Sequence, residues 1–204
     1  MKTLNEQQLA QISDAINQVE QQTDAELVTV LAKQADNYYY IPTLWAALLA
    51  LLVPVLLRFT PLWLDGLDLL KAQWISFACA AIVFRIPAIK MLLVPKAVKQ
   101  WRASSLARRQ FLENNLHHTK GETGVLVFVS QAEHYVEIIA DRGISLQVDN
   151  SQWQSIIDGF TEQVKTGNTQ QGFISCIEQC GEILKQCAPA SGEKNELPNH
   201  LVLL

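Results

Sequence analysis

The sequence predicts an α/β fold: a small mixed sheet flanked by helices and interrupted by an inserted transmembrane helical hairpin. Three observations carry this. Residues 26–32 (ELVTVLA) and 125–129 (VLVFV) are short runs rich in β-branched side chains, set among amphipathic helical stretches. The second run is apolar throughout, as in a strand buried on both faces. Between the two lies residues 41–94, which hold most of the apolar excess of a chain that is 49% apolar with a mean hydropathy of +0.10.

Taken in order, residues 4–22 show helical periodicity, with Leu4, Leu9, Ile12, Ala15, Ile16 and Val19 on one stripe. Thr3 is the expected N-cap and Glu6 its capping-box partner. Thr23 and Asp24 turn the chain into the first strand. Residues 104–118 predict a helix and 121–124 a turn. The buried strand follows, then after a short polar connection Tyr135–Ala140 (YVEIIA), so those two pair as a hairpin. Residues 153–164 and 171–186 predict two amphipathic helices, separated by Thr166-Gly167-Asn168. Residues 189–200 are polar and predict a disordered tail, and the closing LVLL is too short to span anything. A helix between the first two strands makes them parallel neighbours, and helices on both sheet faces are the economical packing.

The insert reads as two spans. Residues 41–57 (IPTLWAALLALLVPVLL) have Thr43 as their one polar side chain, and with two more residues approach the roughly 20 needed to cross a hydrocarbon core. Trp45 and Tyr38, Tyr39 and Tyr40 stand at one end, where amphipathic rings favour the headgroup level. Pro54 is tolerated in such a helix. Residues 69–84 are apolar except for Lys71, Gln73 and Ser76, with Trp74 as an outer belt residue; a re-entrant or interfacial segment is the alternative. The connection FTPLWLDGLD is nearly neutral, whereas Arg85, Lys90, Lys96, Lys99, Arg102, Arg108 and Arg109 follow the second span. The positive-inside rule places that side in the cytoplasm. Residues 86–101 read as an interfacial helix drawn to anionic lipid, or equally as a solvated linker helix. The opening MKTLNEQQLAQISDAINQ lacks a secretory signal's apolar core, so both termini are expected in the cytoplasm and the protein in the inner membrane. The expected bounds are 1–38 for the first part of the α/β domain, 39–95 for the hairpin, 96–188 for the main part and 189–204 for a flexible tail.

Several function classes fall away. A net charge of −4 gives no field for nucleic acid. Cys79, Cys176, Cys180 and Cys187 suggest no disulfide framework. The hairpin has no interior charge or polar face to line a transport path.

The chain resembles a known family at Thr23-Asp24-Ala25-Glu26-Leu27-Val28, at Thr119 with Gly124-Val125-Leu126-Val127-Phe128-Val129, and at Val136-Glu137-Ile138-Ile139-Ala140-Asp141-Arg142-Gly143-Ile144. Trp153, Gly172-Phe173 and a last helix ending near Pro189 complete the pattern, which covers about residues 8–38 and 100–189. It looks like the TPM domain of thylakoid lumen, photosystem II repair and acetylcholine-receptor modulator proteins. The resemblance implies a compact α/β sandwich in a bacterial membrane-associated protein. Acid phosphatase activity, calcium binding and roles in assembly, repair or receptor modulation are credited to different members. The expected lack of a signal segment and an anchor placed inside the domain would depart from many relatives.

Asp141, Arg142 and Gly143 are the first candidates for chemistry. They end a strand, where open α/β sheets present ligands. Arg142 offers an anion-binding fork; Asp141 offers a cation ligand or a nucleophile. The plain alternative is an Asp–Arg surface pair closing a turn. Asp36, with Asp24 and Glu26 nearby in sequence, is a weak partner to Asp141 for calcium or another divalent metal, and solvated loop acids are the plainer reading. His117, His118 and His134 lack a metal spacing. Cys176, Cys180 and Cys187 share a face with Phe173, Ile177 and Leu184 and read as buried thiols; Trp153 reads as a core anchor. No aspartyl-phosphatase Asp-x-Asp, Cys-x5-Arg or P-loop motif is present. The leading expectation is a membrane-tethered, cytoplasm-facing binding, assembly or regulatory module. Its partners are the lipid bilayer and another membrane or membrane-associated protein. The alternative is a divalent-metal-assisted phosphatase-like hydrolase.

Overall fold

The computed structural model describes residues 4–61, 63–119, 121–191 and 201–204. The elements in order are α1 (Glu6–Glu20), β1 (Leu27–Ala32), α2 (Tyr40–Arg58), α3 (Gly66–Val83), α4 (Pro87–Leu93), α5 (Lys96–Glu113), a 3-10 turn (Leu116–His118), β2 (Val125–Ser130), β3 (Tyr135–Ala140), α6 (Arg142–Ser145), α7 (Asn150–Lys165), α8 (Thr169–Cys187) and β4 (Leu201–Leu203). The chain divides into two units. One is Met1–Ala35 with Gln100–Leu204; the other is Asp36–Lys99.

The first unit is an α/β fold around a four-stranded mixed sheet of order β3-β2-β1-β4. β1 and β2 are parallel, with Leu27 opposite Val125 and Ala32 opposite Ser130. β3 returns antiparallel beside β2, as the apolar hairpin pattern predicts. Both central strands are buried along their whole length. Strand alternation splits their side chains between two cores. Leu27, Leu31, Val125, Val127 and Val129 meet α1, α7 and α8, where Ile12, Ile16, Trp153, Phe160, Phe173 and Ile177 are buried. Phe160 and Phe173 meet edge to face at 5.0 Å, a geometry favoured by the ring quadrupoles. On the other face Val28, Val30, Leu126 and Phe128 pack on Ala103, Leu106, Ala107 and Phe111 of α5. Each buried Val, Leu or Phe side chain among them contributes about 1.5–3 kcal/mol by leaving water.

The structure departs from the sequence expectations at several places. The cap of α1 is Asn5, not Thr3, which lies outside the described residues. The Asn5 side chain accepts from the Gln8 N–H at 2.8 Å and the Gln8 side chain accepts from the Asn5 N–H at 2.9 Å. Leu201–Leu203 is not part of a flexible tail: it adds a fourth strand, parallel to β1, with Leu201 opposite Thr29. The open edge of β1 supplies unpaired amides and carbonyls, and Leu204 closes the pairing by donating to the Leu31 carbonyl and accepting from Lys33, 3.0 and 2.9 Å. Of the expected tail, residues 192–200 lie outside the described residues. Finally, residues 86–101 are not one helix. Pro95 lacks an N–H and pushes Val94 into extended backbone (ψ 120°), so α4 stops and α5 begins afresh.

In the second unit α2 and α3 pack against each other as a hairpin. Both are long and apolar enough to cross a bilayer, with mean hydropathies of 2.2 and 1.3, and little of either is buried. Pro54 sits inside α2 without ending it. A small core of Tyr38, Ile41 and Val94, flanked by Met91, Leu93 and Val98, joins the start of α2 to α4 and the start of α5. Tyr38 is therefore fully buried rather than part of an aromatic belt, while Tyr39 and Tyr40 are exposed.

Candidate functional site

Asp141 follows β3. Because β3 runs antiparallel to β2, with Ala140 opposite Val125, its end stands at the amino-terminal edge of the parallel pair. Open α/β sheets offer ligands at the other edge, beyond the carboxyl ends of the parallel strands. The local geometry is that of a backbone clamp. The Asp141 N–H donates to the Gly124 carbonyl at 2.8 Å. Its carboxylate accepts from the Arg142 N–H at 2.8 Å and so caps the single turn of α6. The second carboxylate oxygen is buried and has no hydrogen-bond partner among the described residues. Gly143 donates to the Glu122 carbonyl at 2.9 Å. A Cβ on Gly143 would stand 2.2 Å from the Gly121 carbonyl oxygen, so only glycine fits this approach. Gly124 is held the same way, 2.3 Å from the Leu116 carbonyl oxygen. Arg142 is exposed, and no side-chain pair between it and Asp141 occurs among the described residues.

The first strand's flanking residues do structural work at this same edge. The Thr23 hydroxyl donates to the last carbonyls of α8, Leu184 at 3.2 Å and Ala188 at 2.5 Å, and accepts from the Ala25 N–H. The Asp24 carboxylate takes the Ser191 N–H at 3.0 Å and the Ser191 hydroxyl. Those bonds to Ser191 hold its pKa below the ordinary carboxylate value. Glu26 is buried at 5% exposure, and its carbonyl accepts from Val125. The Thr-Asp pair thus fastens the end of α8 to the entry of β1.

The carboxyl edge of β1 and β2 is occupied by protein. Glu133, buried at 8% exposure, accepts from the Ser130 hydroxyl and from the Ala35 N–H at 3.1 Å. Gln131 and Ala132 donate to the Ala32 and Lys33 carbonyls. Sequence reasoning passed over Glu133; its signal is an acid three residues beyond a strand that ends in serine. β1 leaves the sheet at this edge, and Asp36 opens the other unit. The Asp36 carboxylate accepts from the Tyr38 N–H at 3.2 Å within its own unit.

His117 and His118 are exposed with rings 4.0 Å apart, and His134 is exposed in the β2–β3 turn. Cys176 and Cys180 are buried, and Trp153 is in the core. The hydrogen bond with Cys176, then burial, hold the Cys180 thiol well above its ordinary pKa, which keeps it a poor nucleophile. Among the described residues no three His, Cys, Asp or Glu side chains group as metal ligands. An open cleft lined by Leu4, Gln8 and residues 167–171 holds none of the candidates.

Comparison with known proteins bears on both the family and the fold. Residues 88–183 match a family described as the TPM domain. The chain is similar to the BA42 protein of the psychrophilic bacterium Bizionia argentinensis, known from an NMR structure. The TM-score is 0.62 at 20% identity, covering 100% of this chain and 97% of that one, which bears on the fold alone. No curated protein matches.

Proposed function

From the premise that this chain carries a TPM domain, we propose that it is a membrane-tethered member of the family whose α/β unit faces the cytoplasm and acts by binding rather than by catalysis. The observation that carries this is the apolar surface of the hairpin: Leu51, Leu52, Val55 and Leu56 of α2 and Ile75 and Ile82 of α3 are exposed to solvent. Contiguous apolar surface on that scale needs lipid or a partner to cover it. The basic run from Arg85 to Arg109, against the nearly neutral connection around Asp65, supports both ends of the hairpin being cytoplasmic. The partner is then another membrane or membrane-associated protein.

The binding reading is supported by dispersion of the candidate groups. Phosphoryl transfer depends on metal and anion holders placed around one phosphate. Asp141 caps a turn at the amino edge, and Arg142 is exposed with no ion pair to it among the described residues. An assay of the full chain with p-nitrophenyl phosphate, with and without calcium or magnesium, tests this. The expected result is background hydrolysis, unchanged by Asp141→Asn. Metal-dependent turnover that falls by orders of magnitude in Asp141→Asn, with the fold intact, would replace binding by hydrolysis.

A further inference from the structure

Within the hairpin unit, α4 has the features of a helix built to lie on a charged lipid surface. It is held in place from one side. The Trp45 indole N–H donates to the Leu93 carbonyl at 3.2 Å, the Lys90 ammonium donates to the Asn37 carbonyl at 3.2 Å, and Val94 is buried with Tyr38 and Ile41. Those contacts set the end of α4 level with the first two turns of α2, where its apolar stretch begins. Apolar side chains at both ends of α4 are open: Leu92 in its last turn is 84% exposed and Ile86, its N-cap, 50%. A seven-residue helix is about 10 Å long, so Arg85 and Lys96 stand near its two ends, and Lys99 shares a helical face with Lys96. Every charged residue from Lys71 to Arg109 is basic, in a chain whose net charge is −4. Asp36, the acid that enters this end of the unit, turns its carboxylate to the Tyr38 N–H.

We propose that α4, with Arg85, Lys96 and Lys99, is a headgroup site for anionic phospholipid: Ile86 and Leu92 enter the acyl boundary and the basic side chains take the lipid phosphates. The charge complementarity is one-sided and the apolar residues sit beside it, which is the composition of an interfacial helix. A free anion would use the charges and leave Leu92 in water; a lipid surface uses both. The consequence is lipid-dependent seating of α4, held by charge as well as by apolar burial. This rests on the bilayer reading of the hairpin.

The test uses the full chain reconstituted in vesicles, with Cys79 and Cys187 replaced by alanine and a fluorophore on Leu92→Cys. One set of vesicles is phosphatidylcholine alone; the other contains about 30% phosphatidylglycerol. Each basic side chain near such a surface contributes roughly a fivefold preference at low salt. Quenching by an aqueous quencher is expected to fall severalfold in the anionic vesicles. The protection should be lost in about 0.5 M salt, where screening is short-ranged, and in the combined Arg85→Gln, Lys96→Gln, Lys99→Gln variant. Equal quenching in both vesicle types, by protein that floats with the vesicles after an alkaline wash, overturns the headgroup site and leaves the tether standing. Failure to float with either composition overturns the tether, and the headgroup site with it.

Discussion

The α/β unit and the hairpin unit treat apolar side chains in opposite ways. In the first, Val30, Leu126, Val127 and Phe128 have no exposed surface, and helices cover both faces of the strands that carry them. In the second, the helix with the higher mean hydropathy of the chain, α2, keeps Leu44, Leu51, Leu52 and Leu56 in the open. An ordinary domain buries what is apolar. α2 and α3 are long and apolar enough to cross a bilayer, which is where the proposed function places them. The contrast predicts that the two units respond differently to the same kinds of change.

The largest effect is expected for Val28→Asp. Val28 is buried opposite Leu126, so the substitution puts a charge between β1 and α5 with no place for its partner. A loss above about 4 kcal/mol is expected, enough to unfold the unit. Limited proteolysis should then cut residues 100–188 as readily as residues 4–35, because β2 loses its central neighbour. Unchanged protection of 100–188 would mean that the two sequence halves do not fold together. By contrast, Leu52→Asp in α2 should leave the thermal unfolding of the α/β unit where it was and weaken retention in membranes.

Gly143→Ala comes next. Its Cβ meets backbone oxygens of Gly121 and Glu122, which yield only if the clamp opens, and overpacking of this kind costs about 1–3 kcal/mol. Gly159→Ala meets nothing within 4 Å and should be neutral or slightly stabilising, which makes it the control. Thr23→Ala removes bonds to the last carbonyls of α8 and should cost about 1–2 kcal/mol in chemical denaturation.

The smallest effect is pH-dependent. The Asp24 carboxylate is held below its ordinary value of 3.8 by its bonds to Ser191. A depressed carboxylate stabilises the fold fully above that ordinary value and loses the contribution as pH falls through the lowered one. Hydrogen-exchange protection of the Ser191 N–H should therefore be constant near neutrality and drop below about pH 4, with the drop abolished in Asp24→Asn.

Much of this architecture is legible in the residues. The buried run 125–129 has no polar face, so it had to be a central strand. Ile12, Ile16 and Val19 recur at helical spacing. The placement of Asp141 was also within reach: an antiparallel hairpin that follows a parallel pair brings the chain back to the amino edge, away from the carboxyl-end crevice. β4 was not legible, because three apolar residues carry no periodicity, and its place depends on an edge that only the folded sheet creates. The choice of Asn5 over Thr3 depends on a reciprocal bond with Gln8, while the sequence offers an equally good Thr3–Glu6 pair. Glu133 was missed because its partners, Ser130 and Ala35, meet only when β1 and β2 align.

The tether is tested most directly by two single cysteines in a chain with Cys79 and Cys187 replaced by alanine. Gly66→Cys and Gly159→Cys both place a side chain in open space, one at the hairpin connection and one on α7. In intact cells an impermeant maleimide is expected to label Gly66→Cys at once and Gly159→Cys only after permeabilisation. Labelling of Gly159→Cys from outside while Gly66→Cys stays protected, or protection of both in a chain that alkaline washing strips from the membrane, would contradict a hairpin that crosses the bilayer with its domain in the cytoplasm.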